Sequence, residues 1–147
     1  MITNSHDLMF RDVCLNNEYA VNFLREIFYV FRICDNVWDE DKSYTKEEIS
    51  NSMMLLMIGF KHNPFYMKNR EAIDAQLFLS LNSWMDANEW KRSNDENKKL
   101  CAWHIKEQCR ELVVLCAYLI GGFNHARKVS LNIRTVFLKK ALKRDKY

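Results

Sequence analysis

Only three glycines and one proline punctuate this chain of 147 residues. Strands and tight turns draw heavily on both residue types, so the chain reads as long helices joined by few connections. The apolar fraction is 48%, with 13% aromatic residues. That excludes disorder, which requires low hydrophobicity together with high net charge. A chain of this length suits one domain, able to bury roughly 68–70% of its unfolded surface. The expected fold is all-α, an up-and-down bundle of about five helices in a single domain.

Periodicity places the helices. The first runs over 16–40, with Ala20, Phe23, Leu24, Ile27, Val30, Phe31, Cys34, Val37 and Trp38 recurring at three- and four-residue steps. An irregular start over 1–15 precedes it. Thr45 and Glu48 have capping-box spacing and open a second helix, with Ile49, Met53, Leu56 and Phe60 on one face. Pro64 suits the first turn of a third helix, which reaches 92 through Ile73, Leu77, Phe78, Leu81, Trp84 and Met85. Ser93 and Glu96 have the same box spacing and open a fourth helix, to 120. Gly121 and Gly122 end or kink it, and a basic helix covers 124–147. Met53, Met54, Met57 and Met85 are expected to fill gaps in the core.

The five cysteines are odd in number and form no C-x-x-C pair, which fits buried free thiols in a reducing compartment. The start, MITNSHDLMFRD, lacks the basic-then-apolar layout of a signal peptide. No apolar run reaches the roughly 18 residues of a transmembrane helix. These features point to the cytoplasm of a cell or an infected host, and the Asn-, Lys- and Met-rich composition suits a phage gene. The net charge of +3 is too small to imply nucleic acid by itself. Its distribution is uneven: Arg127, Lys128, Arg134, Lys139, Lys140, Lys143, Arg144 and Lys146 face one acid, Asp145. The candidate contact surface is Arg134, Lys139, Lys140, Lys143 and Arg144, and its partner an acidic protein or nucleic acid. A plainer reading is a solvated last helix whose cations suit its C-terminal dipole.

The acids form a second constellation. Asp35 and Asp39 lie one turn apart near the end of the first long helix. Asn82, Asp86 and Glu89 make a stripe on the third, and His104, Glu107 and Glu111 another on the fourth. In an up-and-down bundle Asp35, Asp86 and His104 would each lie roughly 9–14 Å from one shared end. Acids near a helix C-terminus oppose its dipole at about 0.3–1 kcal/mol each. A divalent cation would relieve that strain, and Mg²⁺ takes one or two carboxylates while bridging to phosphates. The candidate metal ligands are thus Asp35, Asp39, Asp86 and Glu89; Arg32, Asn82, His104 and Glu107 would hold phosphate or ligand. The competing reading is a solvated "DEDK" loop with outward-facing acids, and a half-buried, satisfied His104. His62 and His125 sit near helix ends as caps, and His6 in a frayed start. A di-iron bundle would want Glu-x-x-His twice, whereas this chain has only the reversed His104-x-x-Glu107.

Residues 32–40, RICDNVWDE, resemble the first aspartate-rich motif of the squalene and phytoene synthases, which have the all-α isoprenoid synthase fold. Arg32, Asp35, Asp39 and Glu40 match the motif, with Tyr29 and Phe31 upstream, while Asn36 replaces its second aspartate. The resemblance implies that Asp35 and Asp39 hold Mg²⁺ ions that bind a prenyl diphosphate. It also implies a second acidic motif on an opposing helix, for which Asn82, Asp86 and Glu89 are the candidates. Family members are longer than this chain. Two functions therefore stand side by side: a small binding or regulatory protein acting through its basic last helix, and a Mg-dependent bundle binding or transforming a diphosphate.

Overall fold

The computed structural model describes residues 4–40 and 43–144, with side chains described for 6–40 and 43–137. Among the described residues the fold is all-α, without strands. No described helix is long and apolar enough to cross a membrane. The helices group into two compact units, residues 1–69 and 70–147.

The first unit contains α1 (Asn4–Val13), α2 (Glu18–Trp38), α3 (Lys46–Met57) and the short α4 (Pro64–Lys68), with a 3-10 turn at Gly59–His62. Within the start expected to be irregular, residues 4–13 are helical. Met9, Phe10, Val13 and Cys14 are buried, so α1 has an apolar face to dock, and Asp7 pairs with Arg25 of α2 at 2.5 Å. His6 is buried rather than frayed. Leu15 and Asn16 take left-handed backbone angles, and Asn17 then caps α2 by accepting from the Ala20 N–H at 3.2 Å. Phe23 of α2 lies within 5.4–6.2 Å of the Phe60, Phe65 and Tyr66 ring centroids, closing the core over the 59–68 segment.

The capping box at Thr45 and Glu48 forms as expected: the Glu48 N–H donates to Thr45 Oγ1 at 3.1 Å and the Thr45 N–H to Glu48 Oε2 at 2.8 Å. Pro64 occupies the first turn of α4, and Asn63 caps it from Oδ1. The long helix expected over 64–92 is broken. Asn69 leaves helical geometry at φ −113° and ψ 17°, and its side chain donates to the Phe65 carbonyl at 2.9 Å. An asparagine that bonds its own backbone competes with helix propagation, and the two compact units meet in sequence at this break.

The second unit contains α5 (Arg70–Lys91), α6 (Glu96–Lys106), a 3-10 turn at Glu107–Cys109, and α7 (Arg110–Arg144). Asp95, not Ser93, caps α6. Its carboxylate accepts from the Asn97 N–H at 2.9 Å, and Ser93 Oγ accepts from the Asp95 N–H at 3.1 Å. Ser83 of α5 donates to Gln108 at 3.1 Å, which requires the chain to reverse between them. Ile73, Ser80 and Ala87 form the buried side of α5, and Ala102 that of α6. Small residues at such positions let helix axes approach closely.

A second reversal is hidden inside α7. Arg134 Nη1 lies 2.5 Å from Glu111 Oε1, and Nη2 lies 3.2 Å from Oε2. In a straight helix these residues would stand about 34 Å apart. The chain therefore folds back at Gly122, whose φ of 75° and ψ of −173° leave helical space, giving two antiparallel arms, 110–121 and 123–144. The expected break at Gly121 and Gly122 is thus present. A side chain at Gly121 would meet the His125 side chain at 2.5 Å, so the reversal needs both glycines.

Candidate functional site: acidic constellations and outward faces

The acids at the end of α2 are positioned by ordinary helix termination. Asp39 is the C-cap, its N–H donating to the Asp35 carbonyl at 2.9 Å, and Glu40 follows with φ 54°. Asp39 is exposed and Asp35 half-buried. The last turn of α2 carries no basic residue to offset the dipole. The Cys34 thiol is pushed up, first by desolvation and then by the charge of Asp35. Asn36 donates to Ser43 at 3.4 Å.

Arg32 is engaged within the first unit. Its Nη2 donates to Glu48 Oε1 at 3.0 Å, and its guanidinium carbon stands 5.3 Å from the Tyr29 ring centroid. The Glu48 carboxyl is held below its ordinary value, first by the Thr45 N–H and then by Arg32. One carboxylate thus caps α3 and ties it to α2. A phosphate bound by Arg32 would compete with that tie.

In the second unit Asn82 donates to Asp86 Oδ2 at 3.1 Å, and Glu89 lies 4.0 Å from Arg92; all are exposed at the surface of α5. His104 is exposed rather than half-buried, and its ring meets Trp103 edge-on at 5.1 Å. Glu107 starts the 3-10 turn, so His104, Glu107 and Glu111 do not share one α-helical stripe. Glu107 instead pairs with Arg110 at 3.5 Å. Asp35 and Asp39 belong to the first unit; Asp86, Glu89, His104 and Glu107 belong to the second. Among the described residues no group of three or more His, Cys, Asp or Glu side chains is arranged to hold a metal ion.

The second arm of α7 buries Ala126, Val129, Ile133 and Phe137 and turns Arg127, Lys128 and Leu131 outward. Phe123 and Leu131 are 68% and 71% exposed. No acid occurs from Leu112 to Arg144. Arg134 is held by Glu111, which raises its already high pKa, so this member of the expected basic surface is committed to an internal bidentate pair. The side chains of Lys139, Lys140, Lys143 and Arg144 lie outside the described residues.

Sequence reasoning misplaced the methionines. Met53, Met54, Met57 and Met85 are all more than half exposed. Of α3, only Ser52 is fully buried, with Glu48, Ile49 and Leu55 half-buried around it, so the helix packs through a narrow side and turns its methionines out. The run MMLLMI is apolar around most of the helix, which left the direction open. Two of the five free thiols, Cys34 and Cys101, are exposed, while Cys14 and Cys116 are buried and Cys109 is intermediate. Burial pushes the Cys14 thiol up to about 12. Asn88 was also missed. It is 2% exposed, and neither its Oδ1 nor its Nδ2 meets a partner among the described residues. Its phase beside Ile73, Ser80 and Ala87 was the available signal. No family model, curated protein or solved structure matches the chain.

Proposed function

We propose that the chain is a non-catalytic helical binding module that engages an acidic partner, protein or nucleic acid, through the outward face of the second arm of α7. The observation that carries this reading is the pairing of exposed Arg127 and Lys128 with exposed Phe123 and Leu131 on an arm free of acids. Cations attract a polyanion and release its counterions, while exposed apolar groups supply contact at short range. The Gly122 reversal supports the reading by pinning this arm back along 110–121 through Glu111 and Arg134, which presents the face on a braced element.

The test is fluorescence anisotropy of the full chain against a labelled single-stranded oligonucleotide, with polyglutamate run in parallel to separate nucleic acid from acidic protein. Binding should weaken with salt, by about 0.7 in log–log slope per phosphate contact on a single strand. Arg127→Glu with Lys128→Glu should abolish it while the helical circular dichroism is unchanged. Binding to neither polyanion, or binding indifferent to the double variant, would sink the proposal.

A further inference from the structure

The outward side of α3 carries a second message, in the other unit. Met53, Met54, Leu56 and Met57 stand 50–62% exposed, while the side turned inward is built from Glu48, Ile49, Ser52 and Leu55. A helix apolar on its outward side is normally covered. Methionine suits an interface because its unbranched thioether adapts to the facing surface.

The charges at the two ends of α3 indicate what covers it. Among the described residues Asp39, Glu40 and Glu47 are exposed at the end where α3 begins, against Lys46 there. Lys61 and His62 are exposed just beyond its C-terminal end. Between those ends the outward face of α3 has no acid. Such a surface is self-complementary in one arrangement. Two copies laid antiparallel across a two-fold axis bring the acidic end of each to the basic end of the other, oppose the helix dipoles, and set methionine against methionine between them. A parallel arrangement would set like charges together.

We infer that the outward face of α3 binds a second copy of this chain, as an antiparallel, two-fold symmetric dimer. A 12-residue helix spans about 18 Å, and one such face falls short of the about 800 Å² per partner of a standard interface. The dimer is therefore weak and concentration-dependent. The proposal is independent of polyanion binding by α7, because its test contains no polyanion.

Sedimentation of the full chain from about 10 µM to about 1 mM should show a monomer–dimer equilibrium, the range expected of a contact of this size. Met53→Ser with Met57→Ser should leave a monomer throughout, with helical circular dichroism retained. Glu47→Lys and Lys61→Glu should each raise the dissociation constant about tenfold, and the two together should restore it, because each exchanged charge again faces its opposite. A wild-type monomer across the range, a dimer insensitive to the methionine changes, or a double charge exchange no better than the single ones would overturn the proposal.

Discussion

Replacing Asn88 by leucine should make the protein more stable. The side chain is 2% exposed on α5, and both its amide atoms lack a partner among the described residues. A buried polar group left unsatisfied costs about 1–3 kcal/mol, and here a donor and an acceptor share that fate on one side chain. Leucine has nearly the same branched shape, removes both polar atoms, and adds apolar burial worth up to about 1.5–3 kcal/mol. Imperfect fit takes back part of that gain, since a mismatched core substitution costs up to about 1–3 kcal/mol. The net expectation is a stabilisation of about 2 kcal/mol, or a rise in Tm of about 4–8 °C for a chain of this size. The assay is urea unfolding of the full chain followed by circular dichroism, with an unchanged m-value required before midpoints are compared. Two controls bracket the cause. Asn88→Ala removes the amide but leaves a cavity, so it should gain less than leucine. Asn88→Asp buries a charge and should lose about 3 kcal/mol or more. Destabilisation by Asn88→Leu of more than about 1 kcal/mol would refute the reasoning, because it would mean that the amide is satisfied in solution.

Gly122→Ala places a side chain at φ 75° and ψ −173°, a region essentially reserved for glycine, and should cost about 1–3 kcal/mol; Gly121→Ala drives a Cβ against His125 and should also destabilise, both read by thermal unfolding. Equal, negligible losses would mean that the reversal in α7 tolerates ordinary residues. Desolvation raises the Glu26 carboxyl, so the native state holds that proton more tightly than the unfolded chain does. The resulting contribution to stability is lost as pH rises from about 4.3 through the folded value, so Glu26→Gln should raise Tm at pH 7 and flatten the Tm–pH curve above pH 4; an unchanged curve would rule this out. On the binding-module reading, millimolar Mg²⁺ should not raise Tm beyond an equal ionic strength of monovalent salt. A Mg²⁺-specific rise abolished by Asp35→Asn with Asp39→Asn would instead favour the diphosphate-binding reading.

Much of the helical layout was legible because its signals are local. The α2 periodicity, the Thr45–Glu48 box, Pro64 in a first turn and the Gly121–Gly122 break each depend on residues within a few positions of one another. Local signals also misled where two of them competed. Ser93 and Glu96 have box spacing, but Asp95 lies closer to the free N–H groups of α6 and takes the cap. Asn69 ended a helix that the apolar pattern continued, through a bond to its own backbone. The candidate sites were less legible. Arg32 read as a phosphate ligand and is tied to Glu48; Arg134 read as a contact residue and is tied to Glu111. Each partner comes from a remote stretch of chain, beyond the reach of helical spacing.

The sequence by itself determined that this chain is α-helical, where α2 and α3 begin and end, and that residues 112–144 carry cations without acids. Those properties follow from backbone propensity, capping chemistry and charge, which act over a turn or two. Tertiary structure alone decided which sides of the helices face inward. It turned the methionines of α3 to the surface and buried Asn88. A helix apolar on several sides can dock by any of them, and packing against neighbours distant in sequence selects one.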